Sequence, residues 1–494
     1  MKSFSKSKLI AYRQCPKRLW LEIHRNELRA DSESAQARIE IGYTVGDIAQ
    51  RLYDPDGKGI ELNAQRDGYG ETFSRSMELL QGGRPLFEAG FSSGGAYAFA
   101  DVMLPVRKGG QKGWRMVEVK SSSSVKDYHR DDAAIQSFAA RGAGVPLVGL
   151  ALAHIDTSWT YPGHGDYQGL LVEEDLTAEA ASRDDDVRQW IAAALKVVAK
   201  RKEPEVPMGR QCNDPFACGF SAYCESQTSR AEYPVQWLPN AAGKALKSLF
   251  DAGIADMRDV PDDLLNERQL RVKRHTLSGR RYFNAHGAKA ALAAHKLPAW
   301  FLDFETIQFA VPIWKGTRPY QQIPFQFSVH RLLRTGKLEH DGFLDLSGDD
   351  PSKAFAERLI AACGERGPIF VYNAGFEGAR IRELAERFPR LKRQLLAIVE
   401  RIVDLLPVAK DYFYDPSQQG SWSIKKVLPA VAPDLRYDQL EGVQDGGMAM
   451  DAYLEAIHAD TDLARKKQIE EQLFKYCEMD TYAMVRLWTF LTCA

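Results

Sequence analysis

Hydrophobic and polar positions alternate with three different rhythms along the chain. The first stretch, to about residue 230, opens with a helical period and predicts a second helix around 39–52. Alternating runs then predict strands at 85–91, 96–104 and 113–120. A helix near 131–141 and an apolar strand at 146–154 follow, and a charged helix at about 182–202 closes the stretch. Strands followed by a helix and a further strand predict an α/β or α+β sheet. Residues 231–296 predict a small helical connector with a tight corner at Gly253 and a turn at Val260–Pro261. The third stretch, 297–494, predicts strands at 300–305, 324–333 and 342–346, a helix at 352–363, and a buried strand at 368–372. Helices fill much of the rest, including a last one at about 462–493. There is no internal repeat and no low-complexity tract.

Composition changes little in that picture. Hydrophobic content of 45% and charged content of 27% over 494 residues fit an ordinary globular chain of roughly three domains. Basic and acidic residues balance at 65 against 66, so any attraction to nucleic acid must be local. One local excess exists: residues 266–281 carry Arg268, Arg271, Lys273, Arg274, Arg280 and Arg281 against the single acid Glu267. It reads as a nucleic-acid-docking run or a solvated basic face. The N-terminus has no apolar run long enough for a signal peptide, and no stretch approaches a membrane span, so a cytoplasmic protein is expected.

The first candidate chemistry lies on the predicted strands. Asp101 sits on one, and Glu118 and Lys120 sit two apart on the next, so the latter two share a face. Two carboxylates can hold a hard divalent ion such as Mg²⁺ or Mn²⁺, which lowers the pKa of a bound water. A neighbouring lysine can orient that water or neutralise developing charge. Ala100-Asp101, Glu118-Val119-Lys120 and Gln136 on the following helix together resemble the PD-(D/E)xK nucleases of the RecB type. The resemblance implies that Asp101 and Glu118 bind metal, that Lys120 is catalytic, and that Gln136 contacts the site or substrate. Glu88, on the adjacent strand, is an additional acid. Two departures stand out. Relatives often carry a metal-binding His on the preceding helix, whereas this chain reads Ile41-Gly42-Tyr43-Thr44-Val45-Gly46-Asp47, so the ligand set is smaller or uses Asp47 or Glu88. Ala140 also replaces a Tyr common in relatives.

Seven cysteines, an odd number, argue against a disulfide framework. Cys15 stands alone in Arg-Gln-Cys-Pro-Lys-Arg, while Cys212, Cys218 and Cys224 follow one another at even spacing. A thiolate quartet can hold zinc or a [4Fe–4S] cluster, and one remote Cys plus a triplet suits the cluster better than the paired spacing usual for zinc. The order of one Cys before the nuclease motifs and three after resembles the iron–sulfur RecB-type nucleases of CRISPR adaptation and of helicase–nuclease repair complexes. Such a cofactor would pin the ends of a loop of roughly 200 residues and couple folding to cluster binding. Cys363, Cys477 and Cys493 read as reduced thiols.

A second set opens the third stretch. Asp303 and Glu305 are two apart on a predicted strand, and Tyr476 and Asp480 are four apart on a predicted helix. Between them Asn373-Ala374-Gly375-Phe376-Glu377 runs from strand into helix. The ordered set resembles the DnaQ-like (DEDD) 3′–5′ exonucleases of RNase H-like fold. By that resemblance Asp303, Glu305, Glu377 and Asp480 bind Mg²⁺ or Mn²⁺, Tyr476 positions the attacking water, and Asp404 supports. Glu377 departs from the family's usual Asp. The connector, at Leu249-Phe250-Asp251-Ala252-Gly253-Ile254, looks like a helix–hairpin–helix, a turn that offers backbone N–H groups to a phosphate. The whole arrangement is similar to bacterial RecB-like proteins with a C-terminal domain of formerly unknown function. It implies a nuclease for DNA or RNA, single-stranded or with free ends, in DNA repair, nucleic-acid turnover or phage defence. The rival reading is a nucleic-acid-binding scaffold with one or both sites degenerate, motivated by the missing His and by Glu377. A redox role for the cluster is a third reading, for which the sequence offers no flavin or nicotinamide motif.

Overall fold

The computed structural model describes residues 3–493 except 32, 109–110, 228–230, 242, 244–245, 247–248 and 250–252. The chain is mixed α/β and divides into two compact units, Met1–Ser229 with Phe309–Gln321, and Arg230–Gln308 with Gln322–Ala494. Two expected boundaries shift accordingly. The connector expected at 231–296 shares one core with the third stretch: Val235, Met257, Val272 and Leu292 pack in the same cluster as Phe301, Phe370, Leu405 and Leu487. Residues 309–321, expected within the third stretch, pack instead with the first unit. There Ala310 and Val311 join Val45, Ile48 and Ile155, and the Tyr161 amide donates to the Thr317 carbonyl.

The first unit is built on β1 (Phe4–Ser5), β2 (Ile60–Glu61), β3 (Leu86–Ser93), β4 (Ala96–Lys108), β5 (Gln111–Lys120), β6 (Leu147–Ile155) and β7 (Leu171–Asp175). They form one sheet in the order β2-β3-β4-β5-β6-β7, with β1 alongside β4. Neighbours are antiparallel at β3/β4, β4/β5 and β6/β7, and parallel at β5/β6. Gly94 and Gly95 make the two-residue turn between β3 and β4, with φ of 60° and 90°, a conformation that glycine adopts without strain. Helix Asp127–Gly142 crosses from β5 to β6 and covers the sheet with Ala133, Ala139 and Ala140. Its small side chains face small residues, Ala89, Ala98 and Ala100, so helix and sheet approach closely.

The second unit holds β8 (Tyr282–Phe283), β9 (Ala299–Ile307), β10 (Ile323–Leu332), β11 (Leu338–Leu344), β12 (Ile369–Val371), β13 (Ile402–Asp404) and β14 (Phe413–Tyr414). Five of them form a sheet in the order β11-β10-β9-β12-β13, antiparallel over β11, β10 and β9 and parallel over β9, β12 and β13. β8 and β14 pair separately. The central β9, Ala-Trp-Phe-Leu-Asp-Phe-Glu-Thr-Ile, is buried on both faces except at Asp303, as its near-continuous apolar run requires. The last helix, Leu463–Cys493, packs on β9 and β10. Among the described residues no helix is long and apolar enough to cross a membrane.

Two candidate active sites

In the first unit, strand irregularity creates the site. Leu86, Ala89, Phe91, Ala98, Ala100 and Met103 belong to one core cluster, and Phe87 and Val102 to another. Strict alternation would put residues 86, 88 and 90 on one face, so the alternation slips by one at Glu88, and again at Asp101. These two residues are absent from the β3–β4 ladder, and Glu88 has a φ of 55°. The register does not shift, since Phe87 still faces Val102 and Ala89 still faces Ala100, so the two acids are re-aimed together without an inserted residue. The β4–β5 ladder likewise ends at Val102 opposite Val117, one step short of Asp101 and Glu118. Asp101 then accepts the Val119 amide at 2.6 Å.

Glu118 is buried and surrounded by donors. Lys120 Nζ reaches its Oε1 at 2.5 Å, Lys6 Nζ reaches the same oxygen at 2.7 Å, and the Gln136 side-chain amide donates to Oε2. Burial alone would raise the Glu118 carboxyl, but Lys120 and Lys6 outweigh it and hold it far below the usual range. Asp101 moves the other way: burial and the Glu118 charge raise it well above an ordinary Asp. Glu88 is exposed by surface area yet crowded by its neighbours, and desolvation and Glu118 push it up to about 7. Asp47 is exposed on its helix. Two residues that the motif did not single out complete the arrangement. Asp132 bonds Lys120 at 2.7 Å and lies 3.4 Å from Lys6, and both lysines come to its Oδ2. Its Oδ1 is buried without a partner, as is Gln136 Oε1. Two orphaned acceptors beside a carboxylate pair fit a site built to receive a cation or its waters.

The four cysteines come together. Cys15, Cys212, Cys218 and Cys224 line one small enclosed cavity with Lys17, Arg18, Leu21 and Phe220. Gln14 fastens the N-terminal helix to the cysteine loop by donating to the Gln211 and Phe216 carbonyls, each at 2.7 Å. Burial raises the thiols of Cys218 and Cys224. No three of the four sulfurs lie within 4.8 Å of one another. Sulfurs at the corners of a tetrahedron around zinc, with Zn–S near 2.3 Å, would be roughly 4 Å apart. Four thiols around one cavity, with Lys17 and Arg18 in its wall, suit a thiolate-held cofactor of net negative charge, zinc or an iron–sulfur cluster.

In the second unit Asp303, Glu305 and Asp480 bring three carboxylate oxygens within 4.8 Å of one another. β9 supplies the first two and the last helix the third. Burial, then mutual repulsion, raises Asp303 well above its ordinary value and Glu305 to about 8. Burial pushes Asp480 to about 6, restrained by hydrogen bonds from Tyr437 and Tyr476 and by the charge of Lys425. Tyr437 donates to Asp480 at 2.5 Å. Lys425 Nζ lies 5.1 Å from the Tyr437 ring centroid and 4.9 Å from that of Tyr476. Asp445, whose charge raises Glu305, caps the helix Gly446–Ile457 beside it. Glu377 is buried and near enough to Asp303 to raise it, but it stands outside the trio. Burial raises Glu377 to about 8, and its Oε2 has no partner. Asp404 receives the Asn373 and Ala374 amides at 3.0 Å each, so it braces the turn that delivers Glu377. A buried, oxygen-only acid cluster with an orphaned carboxylate oxygen fits a hard divalent cation. Tyr437, Lys425 and Asp445 escaped the motif because they lie on segments without periodic spacing to Asp480.

The basic run 266–281 forms the helix Glu267–Ser278, capped by Asn266 and ended by Gly279 in the left-handed conformation. Its charges are largely spent within the unit. Arg268 pairs with Asp411 at 2.8 Å, Arg271 donates to the Lys410 and Asp411 carbonyls, and Lys273 pairs with Asp262 at 2.8 Å. Arg274 remains exposed. Of the hairpin residues, Phe250, Asp251 and Ala252 lie outside the described residues.

Residues 300–423, which carry Asp303, Glu305 and Glu377, match a family described as a domain of unknown function (DUF2779). An uncharacterized protein of Mycoplasma pneumoniae is 28% identical over 213 residues, which cover 39% of this chain and 32% of that protein. An uncharacterized protein of Mycoplasma genitalium is 26% identical over 212 residues, 39% of this chain and 31% of its own length. The chain thus spans about a third of the length of the curated relatives it matches.

Proposed function

We propose that the protein is a metal-dependent nuclease with two separable sites, a RecB-like PD-(D/E)xK site in the first unit and a DnaQ-like 3′–5′ exonuclease site in the second. The observation that carries this reading is the convergence of Asp303, Glu305 and Asp480, with Tyr476 one helical turn from Asp480. The five-stranded sheet, antiparallel and then parallel, supports the RNase H-like part of the reading, and the order of strands and helix around Glu118 supports the RecB-like part. Mg²⁺ or Mn²⁺ bound at either acid set would supply a water of lowered pKa and neutralise charge on a phosphodiester.

The chain's own side chains do the remaining work. Tyr437 donates to Asp480 and fixes its orientation, and Tyr476, one helical turn from Asp480, directs the attacking water. Asp303 and Glu305 share one face of β9, so a single strand presents both acids to the same phosphate. In the first unit Gln136 fixes one oxygen of Glu118, and Lys120 offers positive charge where the phosphate's charge develops. Cys15, Cys212, Cys218 and Cys224 would hold a [4Fe–4S] cluster that staples the N-terminal helices to the segment after the sheet. The substrate is DNA or RNA with accessible ends.

Cleavage of end-labelled single- and double-stranded DNA and RNA by anaerobically purified protein tests the reading. Products in Mg²⁺ or Mn²⁺ that vanish with EDTA are expected. Lys6 seated on Glu118 and Glu377 standing outside the acid trio favour a second reading, a binding scaffold with degenerate sites. Tight binding with no product in either metal would establish it instead.

A further inference from the structure

The first site contains two lysines, and only one belongs to the motif. Lys120 comes from β5, two residues from Glu118, while Lys6 is the first residue of the helix Lys6–Gln14. Both ammonium groups converge on the same two oxygens, Glu118 Oε1 and Asp132 Oδ2. Lys120 holds them at 2.5 and 2.7 Å, whereas Lys6 holds them at 2.7 and 3.4 Å. The two cations repel each other across this shared seat. Asp132 Oδ1 and Gln136 Oε1 meanwhile have no partner, although both residues are more than nine-tenths buried. The site therefore has one ammonium group more than its motif requires on an oxygen that a metal would need, and unclaimed acceptors beside it.

A cation cannot take Glu118 Oε1 while both ammonium groups share it. Lys6 is the one placed to leave. Its second contact is the longer, and it is anchored on a different element from Glu118, whereas Lys120, equally shielded, is fixed two residues away on the same strand. A flexible four-carbon stem lets its ammonium move by a few ångström without moving the helix. Once displaced, its ammonium leaves these two acids and is free to pair with an anion.

We propose that Lys6 is an exchangeable counter-ion of the first site: it occupies Glu118 and Asp132 until a divalent cation binds, and then contacts the phosphate of the nucleic-acid substrate. The inference rests on the reading of this site as a metal-dependent nuclease centre. It makes Lys6 a competitor for metal and a contributor to substrate binding, and Asp132 part of the same seat.

The test is Mn²⁺ binding to the full-length protein, followed by electron paramagnetic resonance of the free ion. An Asp303→Asn/Asp480→Asn background silences the second site. Lys6→Gln is expected to tighten the first-site Mn²⁺ affinity by roughly fivefold or more, the worth of one part-buried ion pair no longer displaced. The same variant should weaken binding of a short single-stranded oligonucleotide in Ca²⁺, while Lys6→Arg keeps metal affinity near that of the parent. Lys6→Met, which retains the aliphatic stem, replaces Lys6→Gln if the latter does not fold. Unchanged or weaker Mn²⁺ affinity in a folded, uncharged variant overturns the inference. Glu118→Gln separates the two levels. If it leaves Mn²⁺ binding intact, the metal-site reading itself fails; if it abolishes binding while Lys6 has no effect, only the exchange is wrong.

Discussion

Glu118 in the first unit is met by Lys6, Lys120 and Gln136, whereas Asp303, Glu305 and Asp480 in the second face chiefly one another. The consequence shows in their protonation. Glu118 is held far below the usual carboxylate range, while Glu305 rises to about 8 and Asp480 to about 6. In the first site the chain itself neutralises Glu118, while Asp101 and Glu88 beside it are raised as the acids of the second site are. In the second, Lys425 lowers Glu305 and Asp480, and a bound divalent cation would favour the charged forms of all three acids. One site pairs its central carboxylate from within, and the other leaves its three carboxylates chiefly to one another.

The largest effect expected concerns what the units depend on. If the four cysteines hold the proposed cluster, Cys224→Ala should lose iron and the cooperative melting of the first unit, and leave amide protection in the second unit unchanged. Hydrogen exchange read by mass spectrometry resolves the two. Next, Asp303→Asn should lower stepwise 3′ trimming by about 100-fold or more, because a carboxylate of the trio is lost. Gel analysis that finds trimming intact would place the activity elsewhere.

A smaller effect tests the charge contrast directly. Glu305 and Glu377, raised to about 8 in the folded protein, bind protons more tightly there than in the unfolded chain. Between the unfolded carboxyl pKa and about 8 the folded state holds more protons, so stability falls as pH rises through that window. Metal-free protein should lose about 2 kcal/mol of second-unit stability per raised carboxyl from pH 6 to pH 8, about 4 kcal/mol for the two. Saturating Mg²⁺ should remove most of that slope, a result read from thermal melts at several pH values. Tyr437→Phe is the mildest change. It deletes one hydrogen bond to Asp480 and should slow trimming by about tenfold, with little change in melting.

Much of this arrangement was legible in the sequence. Asp303 and Glu305 at i, i+2 and Tyr476 and Asp480 at i, i+4 lie where strand and helix periodicity put them, because both elements are long and strongly patterned. The helix Ser352–Cys363 was readable to its ends. The helix Tyr69–Leu79 and strand β7 escaped, the first because Gly70 and several polar residues blur its apolar stripe, the second because Leu-Val-Glu-Glu-Asp lacks alternation. Lys6, Asp132, Tyr437 and Lys425 became visible only in three dimensions, since nothing in their spacing links them to the acids they touch. The basic helix shows the opposite failure. Its charge was plain in the sequence, but Asp411 and Asp262, which pair with it, are remote from it or carry no motif.

The most direct test of two separable sites is one cleavage experiment on an end-labelled substrate in Mn²⁺, comparing the parent protein with Lys120→Ala and Asp303→Asn. Two product patterns, each lost in one variant and retained in the other, are expected. A single pattern that survives both substitutions, or no cleavage by anaerobically purified parent protein, would contradict the account.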